Sequence, residues 1–181
     1  MFQLLPNSLS DEENVWWVAK TRSRQEKALA WTLFNQNIPY YLPLIHRLQK
    51  SKKRMRVSVV PLFSGYLFFR GNIASRLAVL RTRRVAQIIE VPGQARLTSE
   101  LQMIKQMLDR EKQVELCDFL TAGQQVTITH GPLSGLSGSV IKQKNRFYLQ
   151  LAVECIGQGV RVEVPMEYVK PEDSSPVLMA A

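Results

Sequence analysis

The sequence predicts a mixed α/β domain followed by a small β barrel. Three observations predict it. In the first hundred residues, short β-rich runs alternate with stretches of helical periodicity. Beyond residue 122, short strands are divided by glycine- and asparagine-bearing turns. Between them lies a charged connector with Asp109, Arg110, Glu111, Lys112, Glu115 and Asp118. The expected parts are a tail over 1–14, a first domain over 15–108, a linker over 109–122, a barrel domain over 123–172 and a second tail over 173–181.

The first strand is Val15 to Lys20, with Trp16, Trp17 and Val18 at its centre. Ser23 and Glu26 have the spacing of a capping box, so a helix is expected from about Arg24 to Gln36. Ala28, Leu29, Leu33 and Phe34, flanked by Trp31, are expected on one apolar side of it, and Asn35-Gln36-Asn37 with Pro39 stops it. A second extended segment, Ile38 to Leu48, is interrupted by Pro43, which places it at an edge or a bend. Lys50 to Arg56 is expected to be a hairpin tip, because so many cations cannot bury together. Val57 to Val60 returns as a strand. Asn72 to Arg81 is a short helix, Thr82-Arg83-Arg84 a basic turn and Val85 to Val91 a strand closed by Pro92-Gly93. Thr98 or Ser99 is expected to cap a last helix over about Ser99 to Leu108.

The most informative run is Pro61-Leu62-Phe63-Ser64-Gly65-Tyr66-Leu67-Phe68-Phe69-Arg70. Four large apolar residues after a glycine read as a strand inside a sheet, apolar on both faces. Alternation sends Tyr66 and Phe68 to one face, Leu67 and Phe69 to the other. One face packs on helices. The other is either core as well or a partner site.

In the second part, Val126 and Ile128 alternate with polar residues before a glycine-rich turn containing Gly131, Gly135 and Gly138. All three glycines are expected to serve turn geometry. Strands follow at Ser139 to Lys142, Phe147 to Val153 and Val160 to Val164.

The chain has 181 residues and a net charge of +9. Residues 1–108 carry 17 basic and 6 acidic side chains, residues 109–125 two and four, and residues 126–181 five of each. The basic excess therefore belongs to the first part, which suits a nucleic acid or an acidic protein surface there. Apolar runs are too short to span a bilayer, and the first fourteen residues lack the basic start of a signal peptide. Cys117 and Cys155 are the only cysteines and make neither a zinc site nor a disulfide framework, so a cytoplasmic home is expected. His46 and His130, the only histidines, sit near no paired cysteine or carboxylate cluster. The glycine-rich turn lacks the Lys-Ser/Thr of a phosphate loop and leads into a strand. No nucleophile-base pair, metal site or cofactor site is evident, so the chain is expected not to be an enzyme.

Three stretches carry a family resemblance. Trp16 to Lys27 resembles the opening strand and helix of the NusG N-terminal domain. Pro61 to Phe68 resembles that domain's most recognisable strand, and Val126 to Val140 resembles the KOW motif that follows it. The order and spacing match over about residues 15–172. The resemblance implies an α+β N-terminal domain, an antiparallel sheet flanked by helices, followed by a small all-β SH3-like KOW barrel. It also implies a transcription elongation factor that bridges the cleft of bacterial RNA polymerase from the clamp helices. Tyr66 and Phe68 match polymerase-contact positions, with Val18 and Phe63 beside them. Ser64 stands where the family usually has proline, and Arg84 where many members have glycine.

The wording of the chain is closer to the specialised RfaH-like branch, whose members suppress termination on selected operons. By that resemblance Arg22, Arg24, Thr82 and Arg83, joined by Arg84, would meet non-template or upstream DNA. In relatives the barrel recruits a small-subunit ribosomal protein or Rho. Two other readings stay open. One is a housekeeping NusG acting in pausing and Rho-dependent termination. The other is a KOW-type ribosomal RNA-binding protein, against which stands the neutral charge of the barrel.

Overall fold

The computed structural model describes residues 14–51, 54–110, 114–117 and 123–172, without the side chains of 48–51 and 54–56. The expected tails, apart from Asn14, and the side chains at the basic hairpin tip lie outside these residues. The chain divides into two compact units, residues 1–94 and 95–181.

The first unit is built on β1 (Val15–Thr21), α1 (Glu26–Asn35), β2 (Tyr40–Tyr41), β3 (Leu44–Ser51), β4 (Arg54–Pro61), β5 (Tyr66–Gly71), α2 (Ile73–Arg81) and β6 (Val85–Glu90). Its antiparallel sheet has the order β2-β5-β1-β6, which puts the apolar run of β5 inside the sheet as expected. β3 and β4 form a separate hairpin whose register runs from Leu44↔Pro61 to Ser51↔Arg54. Pro43 falls between β2 and β3, where no ladder bond requires its missing N–H.

Cross-strand register sorts the side chains. Phe69 and Leu67 pair with Trp17 and Ala19, and this face packs with Leu29, Ala30 and Leu33 of α1 and Val79 of α2 into one core. The opposite face carries the row Tyr41, Phe68, Val18, Ile89 across four strands. At this spacing neighbouring side chains touch along the row.

The start of α1 differs from the expected one, and its end falls where expected. The capping box does not form. Gln25 is the N-cap, no side chain caps the helix, and Arg24 has φ +58°. Glu26 instead crosses to the β4–β5 turn, where its Oε1 accepts the Gly65 N–H at 2.7 Å. A long-range acceptor role has displaced the local one. At the other end Asn37 takes φ +54°, and Ile38 N–H donates to Leu33 O at 3.0 Å, an αL stop of the Schellman kind. α2 does start on its expected residue, with Asn72 Oδ1 accepting the Ser75 N–H at 3.1 Å.

The second unit holds most of α3 (Gln94–Arg110) and a six-stranded antiparallel sheet, order β12-β8-β9-β10-β11-β7. The strands are β7 (Glu115–Cys117), β8 (Gln124–Ile128), β9 (Ser137–Gln143), β10 (Arg146–Val153), β11 (Gln158–Val164) and β12 (Val169–Pro171). α3 begins five residues before the expected start at about Ser99, because Leu97 already belongs to its buried stripe with Leu101, Ile104 and Met107. Within the expected connector, Glu115–Cys117 pairs with β11, and Arg161 Nε donates to Glu115 Oε2 at 2.9 Å. β9 and β10 meet in a two-residue turn, Lys144-Asn145, with φ of +48° and +61°.

The three glycines of the KOW-like turn do different things. Gly131 and Gly135 adopt φ of +79° and +85°, as expected of turn residues. Gly138 does not: it lies in β9, and a Cβ there would stand 2.7 Å from Gln150 O and 2.8 Å from Leu151 Cδ2. The expectation of turn geometry at Gly138 is corrected to one of close strand approach.

Candidate nucleic-acid and polymerase interface

The candidate residues gather at one end of the first unit's sheet. β1 leaves the sheet at Thr21, whose N–H donates to Gly65 O at 2.8 Å. The chain then turns through Arg22, Ser23 and Arg24 into α1. α2 ends at Thr82, and the chain turns through Arg83 and Arg84 into β6. Because β1 and β6 are sheet neighbours, the two turns meet. Arg22 N–H donates to Arg84 O at 2.8 Å, and the Arg84 guanidinium donates to the Gln25 side-chain oxygen. Thr82 is structural here: its hydroxyl donates to Val79 O at 2.7 Å and accepts the Arg84 N–H at 3.2 Å.

Arg22, Arg24 and Arg83 are exposed, and Arg84 is half-buried. Arg24 and Arg83 both hold positive φ, +58° and +57°. That region costs a residue with a Cβ roughly 1–2 kcal/mol. Glycine would occupy either position without that cost. Instead both carry an exposed cation with five donors suited to phosphate and a flat face suited to an unpaired base. The patch has no acidic neighbour among its own residues, since Glu26 is turned inward onto Gly65.

The apolar candidates lie differently. Tyr66 pairs with Lys20, which pairs with Gln87, and this row ends the sheet beside the basic turns. Tyr66 is partly exposed, and Lys20 and Gln87 are exposed. Val18, Phe63 and Phe68 have relative exposures of 0%, 1% and 0%, with Phe63 and Phe68 edge to face at 6.1 Å. These three are buried side chains, and Tyr66 is the surface member of the set. Sequence reasoning missed Lys20 and Gln87 as its neighbours, though strand alternation from Val18 reaches Lys20.

In the second unit, Glu100 of α3 is the buried acid. It accepts from Arg96 Nε at 3.2 Å and from Glu154 N–H at 3.4 Å, and burial raises its pKa above the usual carboxylate range. Burial, then the Glu100 charge, pushes the Cys155 thiol up to about 11. Among the described residues no three His, Cys, Asp or Glu side chains come together as a metal ion needs, and no helix is long and apolar enough to cross a membrane.

The molecule is thus an α+β sheet unit with paired basic turns, followed by a unit of helix α3 and a small β sheet. A family model described as transcription termination factor nusG matches residues 14–108, more than half of the chain. The chain belongs to the NusG family, and its role lies in transcription elongation. No curated protein matches it. Among solved structures it is similar to a chain described as "Crystal Structure of MjSpt4:Spt5 complex conformation B", at 20% identity over 87% of this chain and 96% of that one, with a TM-score of 0.27. So loose a likeness adds nothing to the family assignment.

Proposed function

We propose that this chain binds bacterial RNA polymerase at the clamp helices during elongation, contacts DNA, and suppresses pausing or termination as an operon-specific antiterminator. The observation that carries the DNA contact is the docking of the two basic turns, Arg22 N–H on Arg84 O, with Arg24 and Arg83 both displayed in the left-handed region. Arg22, Arg24, Arg83 and Arg84 take non-template or upstream DNA, and Thr82 shapes their turn. Tyr66 is the polymerase-facing surface, flanked by Lys20. Val18, Phe63 and Phe68 hold the strand beneath it. The all-β domain recruits a second partner, a small-subunit ribosomal protein or Rho.

The protein acts by binding alone, in the cytoplasm, without cofactor or covalent chemistry. Holding both sides of the polymerase cleft favours the closed, processive state in proportion to the difference in affinity for the two states. A transcription assay over an intrinsic and a Rho-dependent terminator tests the reading. Read-through that rises with the protein, and falls with Tyr66→Ala or Arg24→Gly/Arg83→Gly, supports it. Termination that rises instead assigns the housekeeping NusG role.

A further inference from the structure

α1 carries an aromatic ledge on its outer side. Lys27, Trp31 and Phe34, at i, i+4 and i+7, are all exposed, Trp31 at 55% and Phe34 at 45%. The two rings stack with centres 5.9 Å apart and planes 25° from parallel. The helix is anchored to the sheet by Leu29, Ala30 and Leu33, none of which belongs to the ledge. Two large flat rings displayed side by side offer a surface on which an unpaired base stacks.

The ledge lies in basic surroundings. Lys27 Nζ donates to Val59 O of β4 with one of its three N–H groups, which holds the β3–β4 hairpin beside the start of the ledge. The hairpin, residues 44–61, has six Lys and Arg side chains and no acid, and Arg47 on it is exposed. Across residues 14–94 the only acids are Glu26 and Glu90. Glu26 is buried on the Gly65 N–H. Glu90 is exposed on β6, three strands and about 14 Å from β2, the strand that leads into the hairpin. The dipole of α1 adds a polarity: phosphate is favoured toward Lys27 at the N-terminal end, bases toward Phe34.

We propose that the Trp31–Phe34 ledge stacks an unpaired DNA base, continuing along α1 the strand held by the basic turns. Arg24 lies just before the first residue of α1, Glu26, and Trp31 follows about 7.5 Å further along the helix axis. Lys27 and Arg47 meet the phosphates, and the rings take the base whatever its identity, since every base has a flat face. The choice of DNA rests on the reading of the basic turns, whereas the stacking rests on the ledge itself.

The test uses the full chain and a labelled oligothymidylate strand at low salt, with a duplex of the same length as the control for charge alone. Wild type, Trp31→Leu and Trp31→Tyr are compared, and all three should melt alike because position 31 is exposed. Trp31→Leu keeps an apolar side chain but loses the flat face, so single-strand affinity should fall about fivefold or more while duplex affinity is unchanged. Trp31→Tyr restores a ring and should bind within about twofold of wild type. The strand should quench tryptophan emission in wild type and not in Trp31→Leu, since Trp31 is the most exposed of the three tryptophans. Arg47→Gln should lower the slope of log K against log salt by about 0.7 and keep the quench. Wild type that binds no single strand overturns this inference and the DNA reading together. Single-strand binding that Trp31→Leu leaves intact overturns this inference alone. So does an oligouridylate strand that binds about tenfold tighter than the DNA, which would assign the ledge to RNA.

Discussion

Arg83 is the residue at which conformation and function pull apart. Its φ of +57° favours glycine, and its side chain is exposed. Arg83→Gly is therefore expected to leave folding stability unchanged or raised by up to about 1 kcal/mol, while weakening nucleic-acid binding. Urea unfolding and a DNA titration on the same sample check it. A variant that loses both would mark Arg83 as a structural residue. Glu26 is the opposite case, buried and tied to the Gly65 N–H. Glu26→Ala leaves that donor without its acceptor and should cost about 1–3 kcal/mol in urea unfolding, whereas Glu26→Gln, which keeps an acceptor oxygen, should cost less. Cys155 gives a chemical readout. With the thiol pushed up to about 11, its thiolate at pH 7.5 is about a hundredfold scarcer than at the ordinary value of 9.0. In a Cys117→Ser background, alkylation by iodoacetamide should be slow in the native protein and recover on unfolding.

At the scale of elements, α3 and its buried Glu100 carry the pH dependence. The carboxyl's folded pKa is raised, chiefly by burial, so its contribution to stability is fully present below the unfolded carboxylate range and is lost as pH rises through the raised folded value. Thermal melts of Glu100→Gln should show higher stability than wild type near pH 7 and a flatter profile from the ordinary carboxylate range upward. A variant less stable than wild type at pH 7 would mean that the bonds to Arg96 and the Glu154 N–H outweigh burial. β9 offers a packing probe: Gly138→Ala would drive a Cβ against Gln150 O and Leu151, and should destabilise by about 1–3 kcal/mol.

These elements also show what the sequence can hold. Strand and helix positions followed from apolar runs and the turn residues that bound them: β5 follows Gly65, α2 opens on Asn72, and β10 follows Asn145. What failed were choices between local and distant partners. Ser23 and Glu26 have capping-box spacing, yet Glu26 bonds to Gly65, thirty-nine residues on. Alternation along β5 assigns Phe68 a face but not what lies over that face, so core and partner site both stayed open until the structure buried it. Gly138 looks like its turn neighbours until the close approach of β10 is known.

At the scale of the whole molecule, the charge asymmetry visible in the sequence becomes a place. Cations from two turns sixty residues apart meet because β1 and β6 are adjacent strands. The sequence identified each turn, but their meeting depends on strand order, which spacing alone does not encode. The same asymmetry separates the two units: the basic excess lies in the sheet unit, and the unit with α3 is close to neutral.

The most direct measurement is the affinity of the full chain for a reconstituted bacterial elongation complex with an exposed non-template strand, titrated with salt, for wild type and Arg24→Gly/Arg83→Gly. The expected result is a folded variant that binds more weakly, with the slope of log K against log salt reduced by about 1.4–1.8 for the two lost phosphate contacts. A folded variant with unchanged affinity and slope would contradict the claim that the docked basic turns hold DNA.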